Sequence, residues 1–79
     1  MIELSDNQEI PGNGRTLRFK VELHGGTAIF NNVLSNGQSE VVKEFNGTES
    51  ALERRFNHEI VEGEKWYFTF TGGAKAFYR

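Results

Sequence analysis

The sequence contains no cysteine, which removes disulfide frameworks and thiolate metal sites from the ways a small domain is held together. Proline occurs once, at Pro11. No apolar run approaches the ~20 residues that a membrane-spanning helix needs, so no membrane partner is expected. The amino terminus, MIELSDNQEIPGNG, has neither a basic start nor a long apolar block and does not read as a signal peptide. Basic charge is short as well, with nine Lys and Arg against eleven Asp and Glu and a formal net charge of -2. Nucleic-acid binders usually carry a basic surplus that releases counterions, so nucleic acid is not an expected partner. The lack of cysteine favours a cytoplasmic location and is equally compatible with bacterial secretion without disulfides. At 79 residues the chain is one domain over 1–79, whole or excised from a longer protein. A domain of that size buries only about 60% of its unfolded surface, so its core must be economical.

Glycine and aromatic residues are plentiful. There are nine Gly, seven Phe, two Tyr and one Trp. Glycines supply positive-φ turns and aromatics favour pleated, half-buried surfaces, which together indicate a β-rich chain. In TLRFKVEL, Leu17, Phe19, Val21 and Leu23 alternate with Arg18, Lys20 and Glu22, the period of a strand with one buried face. The next apolar run, TAIFNNVL, is interrupted by Asn31 and Asn32, and a bulge there would turn both Ile29 and Val33 inward. Asn36-Gly37 marks a hairpin turn, and SEVVKEF returns from it as a strand. In EGEKWYFTFT, Trp66, Phe68 and Phe70 form a core face and Tyr67, Thr69 and Thr71 the other face. Gly72-Gly73 then turns the chain so that AKAFYR pairs back as the last strand. Ile2 to Leu4 or Glu9-Ile10 adds an edge strand.

The segment TESALERRF, Thr48 to Phe56, supports two readings. Thr48 is a helix cap, Ala51, Leu52, Glu53 and Arg54 are good helix formers, and Leu52 and Phe56 lie at i, i+4. As a strand, the same residues place Leu52, Arg54 and Phe56 on one face, with an arginine between two apolar groups. Glu49 and Glu53 would repel in a helix of only about two turns.

The order of these segments resembles a C-terminal β-sandwich domain of metal-dependent phosphoesterases of the polymerase and histidinol phosphatase family. The matching residues are Val33, Asn36, Gly37 and Val41 in a hairpin, and Gly63, Trp66 and Tyr67 in an aromatic strand. The resemblance spans Leu17 to Tyr78. It departs from the family pattern at the end, where AKAF replaces a strand that begins with arginine and runs on into N-P-I. It implies an all-β, immunoglobulin-like β-sandwich of about seven short antiparallel strands, with Ser50 to Asn57 as one of them. It also implies a domain that follows a catalytic barrel, docks on it or stabilises it, and is itself non-catalytic.

No constellation of residues in the chain carries a chemistry. His24 and His58 stand alone, without metal-ligand spacing, and no metal or cofactor is expected. Ser5, Ser35, Ser39 and Ser50 lie in turn-rich contexts without a nucleophile motif. Glu62 and Glu64 flank a glycine in a turn, and no glycine cluster has phosphate-loop spacing. Asn46-Gly47-Thr48 is a glycosylation sequon of a kind frequent by chance. The best candidate site is aromatic: Tyr67 with Phe77 or Tyr78, on a sheet face that would stack on a carbohydrate or dock on another domain. The alternatives to an accessory domain are therefore a carbohydrate-binding or other ligand-binding module, or a small α+β phage-type interaction protein.

Overall fold

A computed structural model describes residues 1–47 and 53–79. Among these the chain forms β1 (Ile2–Glu3), β2 (Ile10–Pro11), β3 (Thr16–Glu22), β4 (Thr27–Val33), β5 (Ser39–Asn46), β6 (Glu53–Glu59), β7 (Lys65–Thr71) and β8 (Lys75–Tyr78), with no helix. The strands make two antiparallel four-stranded sheets. Sheet A has the order β1-β8-β3-β6 and sheet B the order β2-β7-β4-β5. Their inner faces share one core, so the fold is all-β and sandwich-like.

The alternation in β3 decides its orientation. Phe19, Val21 and Leu23 are buried, while Arg18, Lys20 and Glu22 point away from the core. Phe19 is the hub of an aromatic core. Its ring lies 4.8 Å from Phe56 in its own sheet, and 5.1, 5.2 and 5.8 Å from Phe30, Trp66 and Phe68 in the other sheet. Trp66 is fully buried, and its ring stands edge-on to those of Phe19 and Tyr78. Its indole N–H has no hydrogen-bond partner among the described residues.

From Glu53 to Glu59 the ambiguous segment is a strand, and residues 48–52 lie outside the described ones. Tertiary pairing overrides the helix propensity of Glu53, Arg54 and Arg55. β6 runs in unbroken register along β3, from Thr16 opposite Glu59 to Glu22 opposite Glu53, and Phe56 stacks on Phe19.

Three details of the strand reading change. First, the bulge lies opposite Phe30/Asn31 with its extra residue in β5, since Phe30 pairs with Lys43 and Asn31 with Val41. β4 stays regular against β7, so Ala28 and Phe30 face the core while Ile29 and Val33 face outward. Second, β8 does not pair back on β7. The tight turn at Gly72 and Gly73 sends the chain to sheet A, where β8 lies between β1 and β3. Third, the amino-terminal segment supplies both candidate edge strands, one to each sheet. Between them Leu4 donates its N–H to the Ala76 carbonyl and Asn7 to the Phe68 carbonyl, while the Asp6 carboxylate accepts the Phe70 N–H at 2.9 Å. That segment closes one side of the sandwich. The opposite side is edged by β5 and β6, where Phe45 stacks on Phe56 at 5.6 Å.

The hairpin at Asn36-Gly37 forms as its dipeptide predicts. Gly37 has φ 90° and donates to the Leu34 carbonyl, and the Asn36 side chain accepts the Gln38 N–H.

Candidate functional site

The expected aromatic face, Tyr67 with Phe77 or Tyr78, does not come together. Tyr67 is half-buried on the outer face of sheet B, where its hydroxyl donates to Ser39 Oγ at 3.4 Å. Phe77 is half-buried on the outer face of sheet A, with the Lys20 ammonium 4.6 Å from its ring centre. Tyr78 points inward and packs against the core, 5.1 Å from Trp66. The cause is the sheet switch of β8. Strands β7 and β8 are not neighbours, so no register brings their aromatics side by side.

The two outer faces differ in chemistry. On sheet A the outward positions are Arg18, Lys20 and Glu22 of β3, Glu53, Arg55 and Glu59 of β6, and Lys75 of β8. Within this charged face, Glu22 Oε2 lies 3.4 Å from Lys20 Nζ, and Glu22 Oε1 lies 3.3 Å from His24 Nε2. These contacts, the His24 hydrogen bond foremost, hold the Glu22 carboxyl below the usual carboxylate range.

Sheet B presents the reverse. Its outer face carries Tyr67, Thr69 and Thr71 from β7, Ile29, Asn31 and Val33 from β4, and Ser39 and Val41 from β5. Charge there is limited to Glu44, across from Ile29 on the edge strand β5, and to Lys65, whose ammonium lies 3.8 Å from the Glu9 carboxylate. Tyr67, Asn31 and Val41 make one continuous row across three strands. Asn31 is 7% exposed within that row and donates its side-chain amide to the Ile29 carbonyl. Val41 is 60% exposed beside it. Sequence alternation placed Tyr67 on this face. It missed Ile29 and Val33, because the TAIFNNV run is apolar at both odd and even positions, and Val41, which stands next to Val42 in SEVVKEF.

The remaining chemistry-bearing residues stay apart. His24 sits exposed in the turn after β3 with φ 49°, and His58 packs edge-on against the Phe30 ring at 5.2 Å. Glu64 accepts a hydrogen bond from the Asn32 amide at 2.8 Å. Among the described residues, no group of three or more His, Asp and Glu is placed to hold a metal ion. The sequon residue Asn46 ends β5, and Thr48 lies outside the described residues. Compared with protein-family models, with curated proteins and with solved structures, the chain matches none.

Proposed function

We propose that the protein is a non-catalytic docking domain that uses the outer face of sheet B to bind a folded protein partner. One observation carries this reading: the row Tyr67, Asn31 and Val41 across the middle of that face is free of charge, with Ile29 and Val33 on either side of Asn31 and Val41 exposed. Depletion of charge with an aromatic at the centre is the compositional mark of an interface core. The outer face of sheet A, dense with Lys, Arg and Glu, is a solvated surface by the same measure. Aliphatic groups such as Val41 gain roughly 25 cal/mol per Å² when a partner covers them. A glycan platform of several stacked aromatics finds less support, since among the described residues Tyr67 is the only aromatic on this face.

The layout is read as immunoglobulin-like, because β3 to β4 and β6 to β7 cross between sheets and β4 and β5 form a hairpin. β8 departs from that scheme by joining sheet A. The resemblance of the segment order to a phosphoesterase accessory domain names the partner class: a metal-dependent catalytic barrel, in the same chain or another.

The test is binding of a purified phosphoesterase barrel in a pulldown and by calorimetry. Binding lost with Val41→Glu or Tyr67→Ala, and kept with Lys75→Gln on the other face, supports the reading. Absence of any barrel binding would overturn it, as would glycan binding that depends on Tyr67. A concentration-dependent dimer broken by Val41→Glu would make a second copy the occupant in place of the barrel.

A further inference from the structure

A shallow recess of 240 Å³ opens on the outer face of sheet A, lined by Met1, Arg18, Phe19, Arg55, Asn57 and Arg79. Arg55 of β6, Arg18 of β3 and Arg79 directly after β8 line it, and no carboxylate side chain does. Arg18 and Arg79 are direct cross-strand neighbours. Each donates its backbone N–H to the other's carbonyl, at 2.9 and 3.0 Å. Residues paired this way hold their Cβ atoms roughly 4.5–5.5 Å apart on one face of the sheet, and like charges so placed repel. On the other side Arg18 faces Asn57, and Arg55 lies on the diagonal, opposite Lys20.

Two carboxylates stand on the far diagonals, Glu59 from Arg18 and Glu3 from Arg79, and neither makes an ion pair with these arginines among the described residues. Glu22 is engaged by Lys20 and His24. Glu53 makes a single contact to Arg55 Nη2 at 3.1 Å, which leaves the other guanidinium donors of Arg55 open to a ligand. Arg18 and Arg79 make no ion pair with the described residues. Two arginines side by side, a third on the diagonal and the donor end of the Asn57 amide give the recess an excess of donors with no carboxylate side chain among its lining residues.

We propose that this recess binds a phosphoryl-type oxyanion, clamped by Arg18 and Arg79 and completed by Arg55 and Asn57. Guanidinium forks match phosphate oxygens in paired hydrogen bonds, and a doubly charged anion neutralises the repelling pair. The volume equals that of several waters at about 30 Å³ each, so a phosphoryl group with a small organic substituent fits. This site lies on the sheet opposite the proposed docking face and does not depend on it.

The experiment is an NMR titration with inorganic phosphate and with phenyl phosphate, following backbone amides and arginine Nε–H groups, and acetate serves as the monocarboxylate arm. Saturable shifts confined to Arg18, Arg55, Asn57 and Arg79 are expected. Arg18→Gln and Arg79→Gln should each weaken phosphate binding about tenfold or more, the loss of one charge-assisted contact. Lys75→Gln, on the same face but outside the recess, should leave it unchanged. In phosphate-free buffer Arg18→Gln should raise the melting temperature, since it relieves the like-charge pair, and it should cancel most of the stabilisation that phosphate gives the unaltered protein. Four results would overturn the proposal. They are non-saturable shifts, equal losses in Arg18→Gln and Lys75→Gln, acetate binding as tightly as phosphate, or a lower melting temperature of Arg18→Gln without phosphate.

Discussion

Truncating Phe19 should remove a large share of this protein's stability. The side chain is 1% exposed, and its ring meets four others, Phe30, Phe56, Trp66 and Phe68. Replacing such a residue by alanine removes its transfer free energy and leaves a cavity that the surrounding rings cannot collapse to fill. The cost is about 3–5 kcal/mol. A domain of 79 residues has a total stability on the order of 4–12 kcal/mol. Phe19→Ala therefore takes about a quarter of that stability at the least, and at the lower end of the range all of it. Phe77 is the control, the same side chain on the outer face, held by Lys20 at 4.6 Å. Its truncation should cost no more than about 1 kcal/mol, the scale of an exposed cation–π contact. The assay is urea denaturation followed by fluorescence of Trp66, the sole tryptophan and fully buried. Thermal melting gives a second reading, in which each 1 kcal/mol moves the midpoint by roughly 4–8 °C in a domain of this size. A loss below about 1.5 kcal/mol for Phe19→Ala, or equal losses at Phe19 and Phe77, would refute the aromatic hub.

Two further expectations concern the turns and pH. Gly26→Ala drives its Cβ into the Thr71 carbonyl oxygen and to 2.8 Å from the Gly72 carbonyl carbon, backbone atoms that cannot swing aside. It should cost about 3 kcal/mol or more, against about 1–2 for Gly37→Ala, where only the φ of +90° is strained; parallel urea melts compare them. Glu22 titrates below its ordinary value of 4.5 in the fold, so its stabilising contribution is complete above 4.5 and is lost as pH falls through the lower folded value. Glu22→Gln should therefore be less stable than the unaltered protein at pH 7, with the gap closing on acidification and in high salt; a constant gap from pH 7 to pH 2 would contradict the assignment.

Much of the fold was legible because strand alternation is local. Leu17 to Leu23 and Trp66 to Phe70 each state their inner face within a few residues, and Asn36-Gly37 states its hairpin. TESALERRF was not legible. Its propensities lean to helix, and the seven-residue ladder with β3 that makes Glu53–Glu59 a strand comes from residues more than thirty positions away. For TAIFNNV both faces are apolar. The choice falls to Phe30, whose ring finds Phe19 and Phe68 only when Ile29 and Val33 turn outward.

The sequence by itself therefore determined the β-rich character, the near-neutral charge balance, the position of most strands and the core membership of Phe19, Trp66 and Phe68. Only the tertiary structure decided which sheet each strand joins. Local sterics set a strand's period, but the partner across a ladder is chosen by which distant surfaces can be buried together. That choice carried β8 across to β3. It separated Tyr67 from Phe77 and Tyr78, set Arg79 beside Arg18, and left sheet B with an outer face that has almost no charge.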